Sequence, residues 1–154
     1  MDQGSYMVSL GFTHQCFHAG VHVCQIFGDE QERRDSLLSF VRSGLAAGER
    51  TACFTDRLDR AALAAALEAQ GLSCDALGAS GALSTSGTQE AYFQDGRFDP
   101  DRMIDTLRQF HEDSVAGGYP AARVIGEMTS EILHVSGGSR PMEYEARVSL
   151  LLRQ

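Results

Sequence analysis

The spacing of apolar positions changes from one stretch of the chain to the next, and that change marks out the elements. Residues 21–27 (VHVCQIF) form a short apolar run between Gly20 and the turn pair Gly28-Asp29, which predicts a strand. Asp29 then suits an N-cap, with Glu30 and Glu32 placed where carboxylates favour a helix dipole. Leu37, Leu38, Phe40, Val41 and Leu45 follow at helical spacing, so the helix runs to about Ala47 and stops at Gly48. Residues 51–55 (TACFT) predict a second, buried strand ending at Asp56.

The alternation continues through the rest of the chain. An Ala-rich helix over residues 58–70 closes at Gly71, and a Gly/Ser-rich passage to Gly87 contains a third strand at residues 82–85. Residues 89–98 gather aromatics around the turn dipeptide Asp95-Gly96. Asp99-Pro100 opens a helix whose buried face is Met103, Ile104, Leu107, Phe110 and His111, and Gly117-Gly118 ends it. Residues 122–126 (ARVIG) predict a strand closed by Glu127. A helical turn around Ile132 and Leu133 and a final helix from Ser139, with Tyr144, Val148, Leu151 and Leu152 on one side, complete the pattern. Residues 1–12 lack periodicity, so residues 1–19 are set apart as an N-terminal leader and residues 20–154 as one domain. Strands alternating with amphipathic helices predict an α/β three-layer sandwich with a mainly parallel central sheet.

Composition narrows the function classes. A length of 154 residues is enough for one core without disulfide or metal staples. The net charge of −8, with all 13 basic residues Arg and scattered among 21 acidic ones, argues against direct nucleic-acid binding. The absence of Lys excludes a P-loop Lys, a Schiff-base Lys and a Ser-Lys dyad together. Neither a membrane span nor a secretory signal is indicated, so the expected compartment is the cytoplasm, with Cys16, Cys24, Cys53 and Cys74 as reduced thiols.

In open parallel sheets a ligand crevice lies beyond the carboxyl ends of the strands. Here that rim would carry Gly28 and Asp29, Asp56, the region of Tyr92 and Phe93, and Glu127; Asp29 and Asp56 read first as turn and capping residues. His22 and Cys24 would share one strand face, and could place an imidazole and a thiolate toward one zinc or iron ion. His14, Cys16 and His18, also at even positions, could complete such a site if the leader folds back. A thiol nucleophile at Cys24 or Cys53 has no support beyond the nearby His22. The turn at Phe27 to Glu30 stands where a phosphate loop would, but it is too short, lacks Lys and is acidic, so ATP binding is not expected.

Four blocks carry a resemblance: residues 20–56, EAYFQDGRFDPDRMIDTL, GYPAARVIGEM and MEYEARV, in order. Together they resemble the MEDS domain, the sensory module named after methanogens, methylotrophs and the dichloromethane regulator. The resemblance implies a sensory input domain of signal transduction without catalytic turnover. Its ligand would be a small hydrocarbon derivative and its partner a DNA-binding, histidine-kinase or anti-sigma module. It also implies a degenerate relative of RecA/KaiC-like P-loop ATPases, and the His22/Cys24 pair matches the family's opening motif. A further strand and helix are expected after Gln154, so the chain reads as truncated, with an open sheet edge that a homodimer would cover. The alternatives are a metal or thiol redox sensor built on the His/Cys cluster and a ligand-free interaction scaffold.

Overall fold

The computed structural model describes residues 6–153. Its centre is a parallel sheet of three strands, β3 (Arg50–Phe54), β4 (Leu83–Ser86) and β5 (Ala122–Gly126), in the order β4-β3-β5. β3 aligns Thr51 with Leu83 on one side and with Arg123 on the other. Six helices surround it: α1 (Glu30–Ala46), α2 (Arg60–Glu68), α3 (Cys74–Ala79), α4 (Thr88–Tyr92), α5 (Pro100–Ala116) and α6 (Pro141–Leu151).

Successive strand residues face opposite ways, and the core divides accordingly. Cys53 of β3 packs with Leu37, Val41 and Leu45 of α1, Leu63 and Leu67 of α2, and Leu83 of β4. Its neighbours Ala52 and Phe54 pack on the other face with Tyr92, Phe98, Met103, Ile104, Tyr144 and Val148. Helices α1 to α3 therefore cover one face and α4 to α6 the other, the α/β arrangement expected, with the sheet flanked by helices.

The connection from β3 to β4 runs over the α1 face, and the one from β4 back past β3 to β5 runs over the opposite face. Reversing direction while changing face keeps both crossovers of one hand. The chain consequently leaves β3 and its neighbour β5 toward opposite faces. That divergence makes the carboxyl ends of β3 and β5 the topological switch point of the sheet.

Two stretches differ from the sequence expectation. Residues 6–19 are not loose: β1 (Met7–Ser9) and β2 (Cys16–His18) pair antiparallel. The hairpin is held by tertiary contacts, with Val8 and Leu10 buried, Phe12 stacked on Phe40 of α1, and the Ser43 hydroxyl donating to the Ser9 carbonyl. Gly11, at φ +80°, lies so close to the Ser39 carbonyl that a Cβ there would collide with it. Residues 21–27, conversely, form no strand. The stretch is tied through side chains instead, His22 to α6 and Gln25 to Ser36 of α1 at 3.2 Å. No ladder forms without a partner strand at its side. Expectations resting on residues 1–5 lie outside the described residues.

Candidate functional site

The switch point between β3 and β5 is occupied by charged side chains. β5 ends at Gly126, and the next residue, Glu127, turns its carboxylate across the strand ends to accept from the Thr55 hydroxyl just after β3. Its other oxygen accepts from Arg33 Nη1 at 2.8 Å. Arg33 sits on the first full turn of α1, and its side chain is only 8% exposed against 15% for Glu127. The same guanidinium grips Glu30 through Nε at 3.0 Å and Nη2 at 2.5 Å. Arg57, after β3, also donates to Glu30.

Within this row of charges, Glu30 and Arg33 shift each other's titration. Hydrogen bonds from Arg33 hold the Glu30 carboxyl below its ordinary value. Glu30 first and Glu127 second push Arg33 further up than a free guanidinium. Beneath the row lies Tyr92, whose phenol burial raises, with Tyr144, Glu145 and Glu127 adding to the effect. The Tyr92 hydroxyl approaches Gly126 so closely that a Cβ there would fall on it. Gly126 is thus a close-approach glycine at the strand end.

The other sequence candidates distribute differently. Asp29 caps α1, accepting from the Glu32 N–H at 2.8 Å, while the Glu32 carboxylate takes the Gly28 N–H at 2.8 Å. The amino end of α1 is therefore closed by the chain's own carboxylates. Asp56 reaches 32 residues along the chain to accept from both the N–H and the hydroxyl of Thr88, capping α4 in place of Gly87, which has no side chain to do so. His22 turns to α6, with Nε2 3.0 Å from Glu145 and Nδ1 2.8 Å from the Ser149 hydroxyl.

Cys24, His14, Cys16 and His18 are exposed. Among the described residues no three His, Cys, Asp or Glu side chains gather as a metal-ligating group. Cys53 points into the α1 side of the core, where burial pushes its thiol up to about 12. The rim thus brings together Glu127 with Arg33, Thr55 and Glu30, and leaves His22 and Cys24 outside it. Arg33 and Thr55 are candidate site residues that the sequence reading missed, while Tyr92 falls in the region it placed at the rim.

The profile of the methanogen/methylotroph, DcmR sensory domain (MEDS) matches residues 21–154. The chain belongs to the MEDS family. No curated protein and no solved structure was found similar to it. The MEDS match takes in the whole rim, the tie between His22 and α6, and every strand of the central sheet, and the β1–β2 hairpin precedes it. Among the described residues of this MEDS domain, no helix is long and apolar enough to cross a membrane.

Proposed function

We propose that this MEDS domain is the input module of a cytoplasmic signalling protein, binding a small organic molecule at the switch point between β3 and β5 without turnover and altering its fit to a protein partner. The observation that carries the reading is Arg33 at the topological switch point, a nearly buried guanidinium shared between two carboxylates. A ligand bearing a hydroxyl or carboxylate can take one of those places, and the displaced Glu30 or Glu127 then needs a new partner. Such exchange supplies the differential affinity for two states that sensing requires. It favours an oxygenated hydrocarbon derivative over a bare or halogenated one.

The partner is a kinase, anti-sigma or DNA-binding module, and nucleic acid is met only through it, in keeping with the charge of −8. A remote kinship to P-loop ATPases agrees with the parallel sheet and its switch point. Nucleotide is no part of the function, because Asp29 and Glu32 occupy the helix end that a phosphate would need.

The test is titration of the isotope-labelled chain with short alcohols, carboxylates and haloalkanes, following backbone amide shifts by NMR. Saturable shifts at Arg33, Thr55 and Glu127 that disappear in Glu127→Gln support the reading. Unmoved amides across all three classes sink it.

A second reading, a ligand-free docking scaffold or homodimer, draws on a different observation. Two shallow concavities lie along α5, lined by Arg102, Asp105 and Gln109, and between α1 and α2, lined by Leu38, Arg42 and Ala66, away from the strand ends. Under this reading the rim network is purely structural. A metal or redox role for His22 and Cys24 draws less support, since His22 is engaged by α6.

A further inference from the structure

We infer that residues 21–27 are a strand held off its sheet, and that a second state exists in which they pair, in parallel, with the outer edge of β5. Among the described residues, nothing pairs with that edge. Arg50 N–H donates to the Ala121 carbonyl and Glu127 N–H donates to the Phe54 carbonyl, so the odd-numbered residues of β5 are turned to β3. Ala122, Val124 and Gly126 consequently turn their N–H and C=O groups outward, an open template for one more strand.

Three observations assign residues 21–27 to that template. First, the stretch has strand chemistry, with four apolar residues including Val21, Val23 and Ile26 in seven and no Pro or Gly, yet Ile26 is 91% exposed. Second, the stretch already lies at the margin of the sheet. Gln25 bonds Ser36 of α1, which packs over β3 and β5, while His22 bonds α6 on the opposite face. A segment tied to helices on both faces must round the edge between them.

Third, the topology accepts it. A strand outside β5, followed by α1 on its own face and then by β3, makes a crossover that moves in the same direction over the same face as β3 to β4. Its hand is therefore the same, and no connection has to be rethreaded. Gly20, at φ +89°, and Gly28 bound the stretch as pivots. The hold on the unpaired state is His22, bonded at both ring nitrogens to Glu145 and Ser149. Pairing would seat Phe27 and Gly28 beside Gly126, joining the start of α1 directly to the strand end that carries Glu127. The inference stands whether or not a ligand binds at the rim.

The experiment is NMR on the full chain and on Glu145→Ala/Ser149→Ala, which removes both α6 partners of His22. Cross-strand contacts between residues 21–27 and 122–126, with exchange at the outward Val124 and Gly126 amides slowed about 100-fold or more in the variant, are expected. A sample mixing labelled and unlabelled chains tells where the strand comes from, and contacts seen only between chains overturn the intramolecular state. Unprotected Val124 and Gly126 amides without such contacts, in both proteins, overturn it as well. Val23→Pro on the variant background must return exchange at Val124 to the unpaired rate.

Discussion

Arg33 and Glu127 lie 94 residues apart in the chain and 2.8 Å apart at the sheet rim. The pair ties the first turns of α1 to the carboxyl end of β5, while Arg123 near the other end of β5 donates to the Phe40 carbonyl and the Ser43 hydroxyl further along α1. Because the Arg33 and Glu127 side chains are largely out of water, removing one partner leaves the other desolvated and unmatched.

Glu127→Ala is therefore expected to cost about 2–4 kcal/mol, less than a fully buried pair because Glu30 still holds Arg33. Glu127→Gln keeps an acceptor for Thr55 and should cost about 1–2 kcal/mol. Urea unfolding checks both, and equal losses in the two variants would contradict the charge argument.

Gly126→Ala should destabilise by about 1–3 kcal/mol, since the new methyl group falls on the Tyr92 hydroxyl. Adding Tyr92→Phe removes that hydroxyl and should recover most of the loss. A double-mutant cycle measures the coupling, and additivity of the two changes would show that the contact does not restrict Gly126.

At the opposite end of the sheet, Arg123 of β5 meets Glu49 through Nε at 2.6 Å, with the two side chains 6% and 1% exposed. Arg123→Met strands a buried carboxylate and should cost about 3–5 kcal/mol. Arg123→Met/Glu49→Met should be markedly more stable than the single variant, as thermal unfolding would reveal.

Cys53 makes stability depend on pH in the alkaline range. Burial raises its thiol from 9.0 to about 12, so above pH 9 the unfolded chain has lost a proton that the folded chain keeps. Stability then falls as pH rises, by about 1.4 kcal/mol per pH unit for this one group until the folded thiol itself ionises. Tyr92 and Tyr144, also raised by burial, join only above pH 10. Between pH 9 and 10 the slope should be absent from Cys53→Ala, and thiol-labelling reagents should reach Cys16 and Cys24 at once but Cys53 only on unfolding.

What the sequence made legible follows from where each element finds its stabilisation. α1, β3, α5 and β5 carry local signals, namely caps, glycine stops and apolar periods, and they stand within a residue or two of their predicted positions. The β1–β2 hairpin carries little such signal because it is held by tertiary contacts, Val8 and Leu10 being buried and the half-buried Phe12 stacked on Phe40 of α1. The short helix α3 was hidden in a Gly/Ser-rich passage, and α4, just beyond it, owes its cap to the distant Asp56. Residues 21–27 show the reverse case, a strand pattern without a strand partner. At the rim, Glu127 was visible as an acid directly after a strand. Arg33 was not, because in a helix rich in charge nothing local separates a buried Arg from its exposed neighbour Arg34.

The central place of β3 also sets an order of events on the ribosome. Its pairing with β4 can form once residue 86 has emerged, but the partners across its other edge, such as Thr55 and Glu127, are 72 residues apart. At about 5–20 residues per second, the β5 side of β3 waits several seconds uncovered after synthesis. Throughout that interval Ala52 and Phe54 lack α6 to cover them, and for its earlier part α5 as well. The nascent chain is most exposed to mispairing just before β5 arrives, and a pause in translation between α4 and β5 would lengthen that window.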